Sequence, residues 1–151
     1  PGEALAYGFE NLERTFHGVP ADVKRVVHMC FGYPNALDSE DYVKADAQAY
    51  FDIADAIDQS SIDQVSIEDA HRHNDLSLLE NFQKTTIILG VVALAQSGIE
   101  TVDELRDRLR AALQHIDADR LVAAPDCGLG FLTRQMSISK LKVLNDAAKS
   151  L

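Results

Sequence analysis

Four side chains of metal-binding types stand near the ends of three strand-like runs in this chain. His28 and Cys30 close the first run, Glu68 closes the second, and Cys127 lies in the turn Pro125-Asp126-Cys127-Gly128 after the last. Zinc binds imidazole nitrogen, thiolate sulfur and carboxylate oxygen at roughly 2.0 to 2.3 Å. Thiolates also favour zinc over magnesium or calcium. The four residues therefore predict a zinc site.

Each residue also has a purely structural interpretation. His28 and Cys30 lie two apart on a strand and face the same way, but such a pair is also common as two packed side chains. Glu68 could cap the next helix, and Cys127 could be a small buried hydrophobic residue. The metal interpretation is favoured because Cys30 and Cys127 are the only cysteines and all four residues end strands of one repeating pattern.

The strands that would carry these residues alternate with amphipathic helices. Apolar, β-branched runs predict strands at 26–30, 64–68, 85–92 and 121–124. Gly90 in the third strand predicts a bend or a close contact. The first predicted helix covers 3–16, with Leu5, Phe9, Leu12 and Phe16 on one apolar stripe. A second has Tyr50, Ile53, Ala54 and Ile57 on one face, and a short third is capped by Asn74 or Asp75. The capping box Thr101–Glu104 opens the fourth. The last carries Ile138, Leu141, Leu144 and Ala148 as its apolar stripe. This alternation predicts an α/β fold with a parallel sheet.

The number of strands is half of what a closed barrel needs. A (β/α)8 barrel takes eight strands and about 250 residues, whereas this chain has 151 residues and four predicted strands. The chain starts at Pro1 with a helix and no strand before it, so we expect residues 1–151 to be a single half-barrel whose upstream half is absent. An open half-barrel exposes sheet edges and an apolar inner face. We therefore expect the upstream half or a second copy of the chain as partner.

Composition excludes several classes of partner. The formal charge of −10, from 24 acidic and 14 basic residues, argues against nucleic acid and anionic membranes, which attract positive surfaces. We see no apolar run of the roughly 20 residues that span a bilayer and no signal peptide, which predicts a cytoplasmic protein. Two cysteines in a cytosolic chain are better explained by metal binding or catalysis than by a disulfide.

The chain resembles the C-terminal half of the catalytic barrel of cobalamin-independent methionine synthase and its shorter relatives. The resemblance rests on His28-Met29-Cys30, Val65-Ser66-Ile67-Glu68, the run 75–82, Leu89-Gly90-Val91-Val92 and the run 120–129. It implies the C-terminal half of a (β/α)8 TIM-type barrel in which His28, Cys30, Glu68 and Cys127 hold a catalytic zinc.

The implied activity is a zinc-dependent thiol methyltransferase. It would transfer a methyl group from 5-methyltetrahydrofolate, as the polyglutamate, to homocysteine to make methionine, and only within the whole barrel, so that this chain alone is inactive. Zinc would bind the thiol as the thiolate. We expect the one weak carboxylate ligand, Glu68, to yield its place when the substrate sulfur enters.

The sequence departs from the family pattern at the proton donor. In methionine synthases a His on the third strand donates a proton to the folate, and Ala95 stands at that position here. The loop after Glu68 is longer and carries His71 and His73, which predicts that one of these two is catalytic, in proton transfer or in contact with a substrate anion. The alternative is that both are solvated loop residues.

Two other functions stay open from the sequence. One is a zinc-dependent alkyltransferase or lyase acting on another thiol, similar to the enzymes that join coenzyme M to an epoxide. The other is a non-catalytic, zinc-stabilised assembly module, which would keep all four protein ligands when a thiol is added.

Overall fold

Four strands and four α-helices follow one another in the described part of the chain. The computed structural model describes residues 2–39 and 42–151, with side chains from residue 6 onward. In chain order the elements are α1 Gly2–Thr15, β1 Val26–Met29, α2 Gln48–Gln59, β2 Gln64–Glu68, a 3₁₀ helix Leu76–Asn81, β3 Thr86–Val92, α3 Val102–Ala112, a 3₁₀ turn Ala118–Arg120, β4 Leu121–Pro125 and α4 Arg134–Lys149. All four predicted strands are present.

The strands form one open parallel sheet in the order β1-β2-β3-β4. His28 lies opposite Ser66 in the register of β1 and β2, and Glu68 lies opposite Gly90 in the register of β2 and β3. Each strand pairs with the next along the chain, as in a (β/α)8 barrel, but β1 and β4 are edges and the sheet does not close. The predicted α/β architecture with four parallel strands is confirmed.

The two faces of the sheet differ in burial. The face that packs against the helices is buried and holds Val65, Ile67, Ile87 and Leu89. The opposite face carries Val26 and Val122, which remain 45% and 42% exposed. This second face corresponds to the inside of a barrel, and it is open in the isolated chain as expected.

Local helix signals are mostly confirmed. Thr101 and Glu104 form the predicted capping box of α3, and Asp75, one of the two predicted caps, accepts a hydrogen bond from Ser77 N. Phe9 and Leu12 of α1 pack against the core as predicted, whereas the side chain of Leu5 lies outside the described part. None of the described helices is both long and apolar enough to cross a bilayer.

The predicted inward face of α4 is wrong in part. Leu144 is buried as predicted, but Ile138, Leu141 and Ala148 are exposed, and the helix buries Lys140 and Ala147 in their place. The Lys140 ammonium donates to both Glu100 carboxylate oxygens at 2.9 Å. An ion pair of this kind permits a lysine to be buried. Because Lys140 faces the core, part of the apolar stripe of α4 faces solvent.

Candidate metal centre

Three of the predicted zinc ligands lie together at the carboxyl end of the sheet. Cys30 directly follows β1, Glu68 is the last residue of β2, and Cys127 comes two residues after β4. Burial raises the pKa of the Cys30 thiol, and the neighbouring Glu68 and Cys127 raise it further. Both cysteines are free and half-buried. Glu68 and Cys127 therefore both lie in the neighbourhood of the Cys30 thiol.

His28 lies on the open face of the sheet, two residues before Cys30. Its Nδ1 is 3.0 Å from the hydroxyl oxygen of Ser66, its neighbour across β1 and β2. The hydrogen bond fixes the ring and leaves Nε2 as the nitrogen that could bind a metal. Ser66 is a positioning residue that the sequence pattern did not reveal.

The carboxylate of Glu68 is buried and has two protein partners. Its Oε1 accepts a hydrogen bond from Phe31 N at 2.9 Å, and its Oε2 forms an ion pair with the ammonium group of Lys44. Lys44 is itself buried, and it also donates to the carbonyl oxygen of Gly32 at 2.9 Å. The charge of the Glu68 carboxylate is therefore neutralised by Lys44, a residue that the sequence pattern did not indicate.

Tyr33 lies against the second cysteine. The negative charge of the Cys127 sulfur raises the pKa of the Tyr33 hydroxyl, and partial burial and a hydrogen bond with the same sulfur act in the same direction. The Tyr33 ring meets that of Phe131 edge-on, with centroids 5.6 Å apart. The phenol can thus donate to the Cys127 sulfur, an outer contact of the kind that orients metal ligands.

Asp126 anchors the loop after β2 to the turn after β4. Its Oδ1 accepts from the backbone N–H groups of Asp69 and Ala70 at 2.9 and 2.8 Å. Its Oδ2 accepts from His71 N at 2.9 Å and contacts His71 Nδ1 at 2.7 Å. All four bonds are buried or partly buried, so Asp126 fixes the position of Cys127 relative to Glu68. The sequence offered one signal for this role, its place beside the cysteine in a Pro-Asp-Cys-Gly turn.

The structure places the two predicted catalytic histidines in different surroundings. The side chain of His71 is 2% exposed, and its Nε2 accepts a hydrogen bond from Ala95 N at 3.1 Å. Because Nε2 accepts, Nδ1 must carry the proton and donate to Asp126, so the ring is neutral. The side chain of His73 is 66% exposed, with Nδ1 3.3 Å from Asp69 Oδ2. Their catalytic role stays a prediction.

Two sets of donors compete as the metal site. Among the described residues, the three side chains whose donor atoms all lie within 4.8 Å of one another are Glu68, His71 and Asp126. Asp126 already accepts four hydrogen bonds and both nitrogens of His71 are engaged, so this group is a hydrogen-bonded anchor. The predicted set, with Cys30 and Cys127, has the sulfur donors that zinc prefers, so its chemistry suits zinc. Within the described part of the chain its donor atoms do not form a cluster of this kind, and zinc binding by these four residues stays a prediction.

A cavity of about 700 Å³ lies beside α3, away from the predicted ligands. It is lined by His73, Ala93, Glu100 and Arg108 among others. Arg108 crosses from α3 to bind the Asp69 carboxylate through Nε and Nη2, at 2.6 and 2.7 Å. Since none of the four predicted ligands lines this cavity, we do not assign it to the metal site.

Comparison with known proteins supports the family resemblance. The methionine synthase of Thermococcus kodakarensis is 28% identical over 140 residues, which cover 92% of this chain and 36% of that protein. The 5-methyltetrahydropteroyltriglutamate–homocysteine methyltransferase of Listeria innocua is 33% identical over 102 residues, 65% of this chain and 13% of that protein. The chain thus spans well under half the length of these curated relatives.

A solved structure and a family model extend the match to nearly the whole chain. The B12-independent methionine synthase from Shewanella sp. W3-18-1, solved in complex with selenomethionine, superimposes with a TM-score of 0.79 at 28% identity, covering 99% of this chain and 44% of that one. The family model described as the catalytic domain of cobalamin-independent synthase matches residues 17–150. The resemblance inferred from the sequence is confirmed: the chain belongs to the cobalamin-independent synthase catalytic-domain family.

Proposed function

We propose that this chain supplies the zinc-binding part of a thiol methyltransferase that makes methionine from homocysteine, with 5-methyltetrahydrofolate or its polyglutamate as methyl donor. The observation that carries the proposal is the placement of Cys30, Glu68 and Cys127 at the carboxyl ends of three strands of one sheet, in a member of this family. Relatives named as methionine synthases and as homocysteine methyltransferases support the same reaction.

Four residues would hold the metal: His28, Cys30, Glu68 and Cys127. A zinc ion bound there would supply Lewis acidity, which keeps a substrate thiol deprotonated at neutral pH. Ser66 orients His28 through Nδ1, and the Tyr33 hydroxyl lies beside the sulfur of Cys127. These outer contacts hold the ligands in place before any substrate arrives.

The source of the proton is the part of the reaction that differs most from the family pattern. We assign it to His71 or His73, as the sequence predicts. His71 is the one that touches the backbone of Ala95, but both of its nitrogens are engaged. His73 is the more exposed and lines the cavity beside α3. In this proposal His73 exchanges protons with solvent, whereas His71 must first release a hydrogen bond.

The replacement at Ala95 favours a second candidate. A thiol alkyltransferase that opens an epoxide protonates the released epoxide oxygen and not a folate nitrogen, so its proton donor need not stand at that position. The same four ligands would activate the thiol. The two candidates differ in the electrophile, whose binding site we place largely in the partner half of the barrel.

The open inner face of the sheet supports the need for a partner. We propose that the upstream half of the barrel, or a second copy of the chain, covers Val26 and Val122, and that turnover requires it. The cytoplasmic location stays a prediction, with which the two free thiols are compatible.

The proposal is tested first by metal content. The wild-type chain should bind one zinc ion per chain, and Cys127→Ser should bind sharply less. Glu68→Gln should also weaken binding, whereas Glu10→Gln, at an exposed position of α1, should leave it unchanged. Unaltered zinc stoichiometry in Cys127→Ser would remove this residue from the site.

Activity is tested on the chain combined with its upstream half. Methylated folate and an epoxide are offered separately with homocysteine or coenzyme M as thiol. Methionine formed from methylated folate supports the first candidate, and thioether formed from the epoxide supports the second. Zinc bound through sulfur without either product would favour the assembly module.

A further inference from the structure

The partners of the buried acids at the carboxyl end of the sheet are of different kinds. Asp126 is held by backbone N–H groups and His71, and Asp69 by both arms of the Arg108 guanidinium. Glu68 is held by one backbone N–H and by the ammonium of Lys44. Among these partners, Lys44 is the one ammonium group, a single point charge without the two-armed geometry of a guanidinium.

Lys44 is placed by contacts that do not depend on a metal. It lies in the stretch between β1 and α2, its ammonium donates to the carbonyl oxygen of Gly32 at 2.9 Å, and it stands 5.6 Å from the centre of the Tyr42 ring. Only 7% of the Lys44 side chain is exposed, and 3% of that of Glu68. The pair is therefore shielded from water, where a charge without a partner is costly.

A metal ion and the Lys44 ammonium would compete for the same carboxylate. When Glu68 binds a dication, the ammonium loses its partner and faces a like charge. When Glu68 leaves the metal, Lys44 compensates a buried carboxylate that would otherwise be unpaired. The ion pair thus weakens metal binding by Glu68 and lowers the cost of its departure.

We infer that Lys44 is a positioning residue that holds Glu68 whenever its carboxylate is not bound to the metal, and so makes Glu68 the exchangeable ligand of the site. The inference rests on the proposed function, because it takes Glu68 as a zinc ligand. In such an exchange the Glu68 carboxylate would pair with Lys44, the incoming thiol would lose its proton to the buffer, and its sulfur would take the place that the carboxylate had left. His28, Cys30 and Cys127 remain in place.

The test compares the wild-type chain with Lys44→Met and Lys44→Gln. Zinc affinity is measured by competition with a chromophoric chelator, and the ligands are identified by zinc K-edge X-ray absorption with and without homocysteine. Both variants should bind zinc about tenfold more tightly or better, because their metal-free form contains an uncompensated buried carboxylate. Both should also need at least about tenfold more homocysteine to exchange an oxygen ligand for a third sulfur, since the released carboxylate has no cation to receive it.

Two further variants separate this role from a structural one. Lys44→Arg retains the charge and should restore both readouts towards wild type. Lys84→Met is the matched control, because Lys84 is exposed and donates to the carbonyl of Ser60 before the amino ends of β2 and β3, at the opposite end of the sheet from the site. A variant that merely loosens the fold would weaken zinc binding and thiol binding together, whereas the inference requires the two to change in opposite directions.

The outcomes distinguish the inference from the proposed function. Zinc bound through two sulfurs, with affinity and homocysteine response unchanged in Lys44→Met and Lys44→Gln, would overturn the role of Lys44 and leave the zinc site intact. Weaker zinc binding in both variants would also overturn it. Zinc that shows no sulfur ligand in the wild-type chain would overturn the proposed function, and this inference with it.

Discussion

Replacing Asp126 with Asn should destabilise the fold although the two side chains have almost the same shape. The carboxylate accepts four hydrogen bonds, two on each oxygen. An amide keeps one oxygen and replaces the other with an NH₂ group, which cannot accept. Whichever way the amide is turned, two N–H donors lose their acceptor.

The His71 ring cannot relieve this loss. If the amide nitrogen faces His71, the ring could move its proton from Nδ1 to Nε2 and accept at Nδ1. The Nε2 proton would then point at the N–H of Ala95, which donates to that nitrogen at 3.1 Å in the wild type. The conflict is transferred and not removed, and the backbone N–H of His71 still has no acceptor.

The expected cost follows from two unsatisfied donors. A buried donor without a partner costs about 1–3 kcal/mol, so Asp126→Asn should lower the free energy of unfolding by about 2–6 kcal/mol. This is a large part of the roughly 5–15 kcal/mol of a typical domain. Urea denaturation followed by circular dichroism measures the loss. Asp75→Asn is the control, because Asp75 caps the short 3₁₀ helix and Asn caps as well as Asp does.

A small effect would refute the reasoning. If Asp126→Asn unfolds within about 0.5 kcal/mol of the wild type, the range of neutral surface changes, then Asp126 does not anchor the loop as described. If the variant is too unstable for a urea curve, the midpoint of thermal unfolding in a stabilising osmolyte gives the same comparison with Asp75→Asn.

Three further predictions concern single positions. Gly90→Ala would place a methyl group 2.5 Å from the Cα of Asp126, so it should cost about 1–3 kcal/mol or more by overpacking, measured by urea denaturation. Thr101→Ala removes the cap that accepts from Glu104 N and should cost about 1 kcal/mol, seen as a lower unfolding midpoint. Burial works to raise the pKa of Asp58, but hydrogen bonds from the backbone around Thr85 outweigh it and lower the pKa. The stability that Asp58 gives over Asp58→Asn should therefore be fully present above about pH 4 and shrink as the pH falls below that value, as urea titrations at several pH values would show.

The sheet could be predicted because its signals are local. Runs of apolar and β-branched residues mark each strand, and a parallel arrangement follows from their alternation with helices. Gly90 was expected to permit a close contact, and the backbone of Asp126 is what approaches it. This contact joins β3 to the residue after β4, which is distant in the sequence. The glycine therefore predicted a close contact, but it could not identify the residue that makes it.

The buried face of α4 could not be predicted because it depends on a distant charge. From the sequence, Lys140 is expected to face solvent and Ile138 and Leu141 to face the core, since lysine is rarely buried without a partner. Its partner is Glu100, 40 residues earlier, in the loop before α3. Nothing in the local pattern of either segment indicates the pairing, and the pairing decides which side of the helix is buried.

The role of Lys44 could not be predicted for the same reason, because its partner Glu68 is distant in the sequence. This ion pair distinguishes Glu68 from the other buried acids as a possible metal ligand. A run of acids surrounds Lys44 in sequence, which predicts a solvated loop, although Glu40 and Asp41 of that run lie outside the described residues. Three acids, Glu68, Asp69 and Asp126, are buried at the carboxyl end of the sheet. Their charge alone would make each of them a candidate metal ligand. Asp126 and Asp69 are each held by several donors from rigid backbone or a guanidinium fork, so binding a metal would break several bonds at once. Glu68 has one backbone bond and one flexible ammonium as partners, and a dication can replace the ammonium with a gain in charge. Glu68, which lies near the Cys30 thiol, is thus the acid whose present partner a metal ion would displace most easily.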